Sequence, residues 1–234
     1  MGKLTVTTFV TLDGVMQAPG GPEEDPSGGF EYGGWQAPYG DEETGEFILD
    51  VFGRAEAFLL GRRTYEIFAG YWPQHDDPAN PVASRLNRLP KYVATASLKE
   101  PAEWEATTFV DGEHLQSEIV RIKDAMAGEL QVWGSGALAQ WLLARDLVEE
   151  LNLLVYPVFL GGGTQALPDR RPADGLRGAD LAHHGVGHLD PHLPPVGPRH
   201  VRHGRRLAPA GPEGPAPRPE SGAAKGSPGQ DRVR

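Results

Sequence analysis

The hydrophobic positions of this chain change period several times. Leu4, Val6 and Thr8, then Val10 and Leu12, alternate with their neighbours and predict a first strand that ends at the turn pair Asp13-Gly14. A long Gly/Pro-rich loop follows over 16–39. Phe47, Ile48, Val51 and Phe52 then fall on one helical face, and the unbroken apolar run Ala57-Phe58-Leu59-Leu60 before Gly61 predicts a buried strand. Further along, the pattern predicts a short helix over 64–69, strands over 92–95 and 107–110, and a helix carrying the stripe Leu115, Ile119, Ile122 and Met126. The segments 130–133, 136–145 and 150–160 complete a strand, a helix and a strand. Strands separated by helices imply an α/β domain with a largely parallel sheet, whose ligands bind at the strand ends.

Composition changes this picture at the C-terminal end. Every Phe, Trp, Tyr, Ile and Met lies at or before Phe159, while 164–234 holds 12 of the 22 prolines and 6 of the 8 histidines, which leaves little to pack into a core. Charge divides at the same place: 164–234 carries 11 Lys+Arg against 7 Asp+Glu, a net of +4, and 1–163 carries 11 against 25, a net of −14. The expectation is a folded domain over 1–163 and a disordered Pro/Gly/His/Arg-rich tail over 164–234. An acidic domain argues against nucleic-acid binding through a basic face. Cysteine is absent, so disulfides, thiolate catalysis and cysteine zinc sites are excluded. No apolar run approaches a membrane span, and MGKLTVTTFV goes straight into alternation; a soluble cytoplasmic protein is expected.

Two strand-to-helix turns carry the candidate chemistry. In LLGRRTYE at 59–66, Gly61 lets the backbone turn and Arg62, Arg63 and Thr64 stand at a helix N-terminus, where unpaired N–H groups and the dipole suit phosphate. In WGSGALA at 133–139, Gly134, Ser135 and Gly136 permit close approach of a pyrophosphate to the amides of the next helix. Together they read as two halves of one dinucleotide site; the plainer reading is that each glycine only closes a turn. The run 134–139 also fits a loose Rossmann fingerprint, but the acid expected about 20 residues later is replaced by Leu153, Leu154 and Val155, and no GxxxxGK[ST] is present.

The chain resembles the dihydrofolate reductase-like superfamily, and within it stand-alone proteins similar to the C-terminal reductase domain of the bifunctional deaminase-reductase of bacterial riboflavin biosynthesis. The resemblance is carried by TFVTLDGVMQ at 8–17, LLGRRTYEIFAGYWP at 59–73, KYVATASL at 91–98, VWGSGALAQWLL at 132–143 and LNLLVYPVFLGGG at 151–163. It implies a largely parallel sheet flanked by helices that binds NADPH in an extended pose. Arg62 and Thr64, with Gly61 and Arg63, would lie near its phosphates, Thr95 and Ser97 near the adenosine end, and Gly134, Ser135, Gly136, Ala137 and Leu138 around the pyrophosphate. The implied activity is hydride transfer to a small pterin-like or other heteroaromatic substrate. A pterin- or nucleotide-binding protein without turnover, and a riboflavin-pathway reductase of a ribosylaminouracil phosphate, are the alternatives. The family's carboxylate on the helix before the LLGRRTYE strand falls here near Gly45, leaving Glu46 as a substitute acid or a solvated helix residue. Asp13, ending the first strand at the superfamily's nicotinamide pocket, is the other candidate catalytic group, or simply the first half of an Asp-Gly turn. The expected partner is a small-molecule substrate, with neither nucleic acid nor membrane, and with a homodimer left open.

Remaining features read as structure. His75-Asp76-Asp77 sits in a Pro-rich loop as solvated surface, His184, His188 and His192 lack a helix to align them, and Ser135 has no triad partners. A sheet of this kind should continue after Gly163 with two alternating strands, which the tail does not announce. One account is that the tail is a frameshifted reading of a final β-hairpin. With codons ending mainly in C or G, the His-His-Gly at 183–185 read one base later becomes Thr-Thr-Gly, and the stretch through His192 becomes rich in Thr and Ser.

Overall fold

A computed structural model describes residues 1–99 and 102–167, and the backbone of 180–185. In order, the chain forms β1 (Lys3–Thr11), α1 (Glu42–Gly53), β2 (Ala55–Gly61), α2 (Arg62–Tyr71), α3 (Pro81–Arg88) and β3 (Lys91–Ala94). Then come β4 (Thr107–Val110), α4 (Leu115–Asp124), β5 (Glu129–Trp133), α5 (Gly136–Leu143), β6 (Glu150–Tyr156) and β7 (Asp180–Gly185). The strands form one sheet in the order β4-β3-β2-β5-β1-β6-β7, and every pairing is parallel.

Parallel strands need crossovers, and these helices cover both faces. Residues of α1, α3 and Tyr65 of α2 pack with Phe58, Leu60, Trp133, Leu154 and Tyr156 on one face. Those of α4 and α5 pack with Leu4, Val6, Ala57, Leu59, Leu130 and Val132 on the other. The run Ala57–Leu60 is unbroken in its hydrophobicity because alternate residues enter the two cores. On the α1 face, Phe52 stacks on Trp133 with centroids 4.2 Å apart.

Several boundaries differ from the sequence expectation for local reasons. Helix α2 begins at Arg62 and runs to Tyr71. Strand β6 stops at Tyr156, ahead of Pro157, which has no N–H to give a ladder. Helix α3, for which no element was expected, begins with Asn80 as N-cap, its side chain accepting from the amides of Val82 and Ala83, and Pro81 in the first turn. Packing continues past Gly163: Val15 forms an antiparallel bridge with Gln165, and Ala166 is buried.

The segment expected to offer no strand supplies β7, whose backbone pairs with β6 from Glu150↔Asp180 to Val155↔Gly185. Residues 168–179 and 186–234, to which the expectations of disorder and of a frameshift also refer, lie outside the described residues, as do the side chains of the tail histidines. Among the described residues, no helix is long and apolar enough to cross a membrane.

Candidate active site

Because the strands run parallel, β1, β2, β3, β5 and β6 all end at one edge of the sheet, and the residues singled out in four separate motifs meet there. Paired strands β2 and β5 bring their outgoing turns side by side. Ser135 joins them: its Oγ accepts from the Gly61 amide at 2.9 Å and donates to Thr64 Oγ1 at 2.8 Å. Gly134 has φ 65° and Ser135 φ 56°, so the turn is left-handed at two successive residues. A Cβ on Gly136 would stand 2.7 Å from Met16 Sδ, so a side chain here would have to displace the Met16 thioether of the loop after β1.

The bridge has a consequence for both helices. Ser135 is the N-cap residue of α5, yet its hydroxyl is used across the sheet and makes no side-chain cap; Gly61 cannot cap α2. By contrast Asp41 caps α1 by accepting from the Thr44 amide at 2.8 Å. The first-turn N–H groups of α2 and α5 therefore lack a side-chain acceptor at the same edge, an arrangement suited to an anion.

Two arginines flank these helix starts. Arg62 donates from Nε to Glu66 Oε1 at 2.7 Å and from a terminal nitrogen to Ser97 Oγ at 2.8 Å, tying the end of β2 to the segment after β3. Arg63 reaches Asp25 Oδ1 of the long loop at 3.4 Å. Both guanidinium groups are more than half exposed. Thr95 Oγ1 accepts from the amides of Ser97 and Leu98, so its hydroxyl fixes a turn. Of the proposed cofactor residues on α5, Ala137 is exposed, whereas the Leu138 side chain is buried in the α4/α5 core and has only its backbone at the edge.

The two carboxyl candidates are otherwise placed. Asp13 accepts from the Thr11 hydroxyl at 2.6 Å and from the amides of Leu160 at 3.2 Å and Gly161 at 2.7 Å, clamping the end of β1 to the segment after β6. Burial raises its pKa, but the Thr11 hydroxyl and the Gly161 and Leu160 amides together outweigh it and hold the carboxyl below its ordinary range. It is a carboxylate at neutral pH and has no proton to give. Glu46 is exposed, on the side of α1 away from Ile48, Val51 and Phe52.

The sequence did not reveal the groups that close the site. Gln17 is buried, donating from Nε2 to the carbonyls of Asp25 and Ser27 and accepting at Oε1 from the Thr164 amide, so the long loop is tied to the segment after β6. Glu24 accepts from the amides of Gly20 and Gly21, and burial nevertheless holds its carboxyl above the ordinary value. On the α1 face beside Gly134 stands a wall of rings: Trp133, Phe9 at 6.4 Å from it, and Tyr156 at 6.0 Å from Phe9. Trp133 is held by donating to Gln131 Oε1, and Gln131 in turn donates to Glu129 Oε2. His75 stacks on Tyr71 in a surface loop, and among the described residues no group of His, Asp and Glu could hold a metal ion.

Comparison with known proteins gives concordant relatives. The profile of the RibD C-terminal domain matches residues 2–187. The uncharacterized protein YyaP of Bacillus subtilis (strain 168) is 22% identical over 167 residues, which is 69% of this chain and 78% of that protein. A crystal structure from Shewanella sp. PV-4, provisionally assigned to riboflavin biosynthesis, superimposes with a TM-score of 0.52 at 21% identity, covering 73% of this chain and 86% of that one, and shows the shared fold. Dihydrofolate reductase from Enterococcus faecalis, complexed with NADP(H), matches at 16% identity and a TM-score of 0.45 over 71% of this chain and 77% of its own.

Proposed function

The chain belongs to the RibD C-terminal domain family, and from that membership we propose that it is an NADPH-dependent reductase that delivers hydride to a small pterin-like or other heteroaromatic substrate. The observation that carries the reading is the Ser135 bridge, which fixes two helix starts without side-chain caps next to each other and beside two exposed arginines. The backbone of Gly61–Thr64 and of Gly134–Leu138 would hold the diphosphate. Arg62, already joined to Ser97, and Arg63 would meet the 2′-phosphate, each exchanging a carboxylate partner for a more highly charged one.

Bound there, NADPH supplies the hydride, and the chain's own part is orientation. Phe9, half-buried and tilted 45° against the buried Trp133, offers an apolar contact for a planar substrate near the β5 turn. Asp13 keeps the β1 and β6 ends together, and the proton that completes reduction comes from solvent rather than from this ionised group. A second reading, a pterin- or nucleotide-binding protein without turnover, is favoured by one observation: Asp13 is held ionised by its hydrogen bonds, and Glu46 stands on the exposed side of α1.

Calorimetric titration with NADPH tests both. Arg62→Ala should weaken binding by roughly 1.5–3 kcal/mol through loss of a charge-assisted contact, and Gly136→Val should abolish it in a folded protein by forcing Met16 and the α5 turn apart. Failure of the unmodified protein to bind NADPH would sink the reductase. Binding without NADPH oxidation in the presence of pterins, flavin precursors and quinones would select the second reading.

A further inference from the structure

Tyr156 ends β6 on the α1 face and is completely buried. Its ring is enclosed by others: Trp35 at 5.4 Å, Phe9 at 6.0 Å and Tyr39 at 6.2 Å, all edge-on. Its hydroxyl has no hydrogen-bond partner among the described residues. Phenylalanine would fill the same ring volume without burying an unpaired hydroxyl, so packing accounts for the ring and leaves the oxygen unexplained.

The surroundings of that oxygen indicate what could reach it. Burial, and after it the charge of Asp41, keep the phenol protonated; the Gln36 side chain lies near enough to the hydroxyl to pull the other way but falls short of hydrogen-bond geometry. Asp41 is exposed and already engaged as the α1 N-cap, and Gln36 is half-buried. The hydroxyl thus lies one residue layer below the surface, beneath the segment 36–41 that leads through the 3-10 turn Ala37–Tyr39 into α1. Among the described residues two other buried oxygens lack partners, Thr5 Oγ1 and Asn152 Oδ1, but they sit at the registers Thr5↔Glu150 and Thr7↔Asn152, away from the C-terminal ends of the strands. Tyr156 is paired with Thr11, at the edge where the cofactor turns lie, and Phe9 connects its ring to Trp133, the residue before Gly134.

We propose that Tyr156 determines substrate specificity: its hydroxyl donates a hydrogen bond to an acceptor atom, a ring carbonyl oxygen or ring nitrogen, of a planar heteroaromatic ligand that displaces Tyr39 from the ring cluster. The ring walls select a flat ligand, and the lone protonated donor selects one with an acceptor on the edge facing β6. A hydrocarbon ring of the same shape would offer the hydroxyl no acceptor and leave it unpaired. The term substrate rests on the reductase reading; the binding subsite does not.

The test compares the unmodified protein with Tyr156→Phe. Two probes are titrated against tryptophan fluorescence: lumazine, a flat bicycle with ring carbonyls, and naphthalene, a flat bicycle without acceptors. The unmodified protein is expected to bind lumazine more tightly than naphthalene, and Tyr156→Phe to weaken lumazine about ten-fold with naphthalene unchanged and the melting temperature equal or higher. Equal lumazine affinity in the two proteins overturns the proposal, as does absence of lumazine binding. A marked fall in melting temperature also overturns it, since the hydroxyl would then have a structural partner. NADPH titration is read separately: lumazine discrimination without NADPH binding would remove the reductase and leave this subsite standing.

Discussion

At the scale of single residues, Ser135 decides whether the two turns act together. Its hydroxyl satisfies the Gly61 amide and the Thr64 hydroxyl at once. Ser135→Ala removes both bonds and should cost about 1–3 kcal/mol, because a partly buried N–H is left unpaired. The measurement is a urea transition, where a lower midpoint at unchanged slope is expected; a midpoint equal to that of the parent would mean the bridge carries no stability. Ser135→Gly should lose less, since the left-handed φ of 56° favours glycine. The glycines of this turn were legible in the sequence, for positive φ and close approach leave a visible mark on residue choice. The duty of the serine was not, because its partners lie 74 and 71 residues away and a hydroxyl in that motif suits a ligand contact equally well. Asp13 was ambiguous for a similar reason: the amides of Leu160 and Gly161 that occupy it belong to a distant segment. Leu138 could be placed on a helix but not on the core side of it until the neighbouring α4 was known.

At the scale of elements, Lys91 shows how a strand can end a helix. The first residue of β3 is fully buried, and its Nζ donates to the carbonyls of Leu86, Asn87 and Leu89 around the C-terminus of α3, lying 4.5 Å from the Trp104 ring centroid. Burial lowers its pKa to about 8 against the pull of Glu105. Between pH 8 and the ordinary value of 10.5 the unfolded chain binds the proton that the folded chain has released, so stability from this group rises as pH rises through that window. The difference in melting temperature between the parent and Lys91→Met should therefore move in the parent's favour from pH 8 to pH 10; parallel profiles would show that the folded lysine keeps its ordinary pKa. Helix α3 carries Asn80 and Pro81 as start signals, but its eight residues give a periodic pattern too short to stand out from the surrounding polar loop. The longer elements were legible because each had a face committed to one core: the stripe of α4 and the unbroken run of β2 are direct records of burial.

At the scale of the whole molecule, the sheet order is what turns separate motifs into a site. Alternation of strands and helices indicated a parallel sheet, and with it a functional edge, but the neighbourhood of β2 and β5 comes from a crossover that returns the chain between β2 and β1. That order also sets the outer limit of the domain. Without β7, β6 would present an unpaired edge next to β1, and residues Leu153 and Val155, which pack against Val10 and Met16, would lie at the border of the sheet. The residues of β7, Asp-Leu-Ala-His-His-Gly, have little intrinsic strand preference, so their pairing depends on the ladder offered by β6. Backbone exchange tests this directly: a peptide spanning 180–185 should exchange slowly at the amides that face β6 and quickly at the alternate ones that face outward. Uniformly fast exchange would remove β7 from the sheet and leave the folded domain ending near the buried Ala166. If the gene supports the shifted reading of this stretch, a variant with the frame restored places Thr where His183 and His184 now stand, and β-branched residues at that edge should raise the melting temperature and slow exchange further. A restored variant that melts no higher than the present chain would show that DLAHHG is the segment this edge was built to hold.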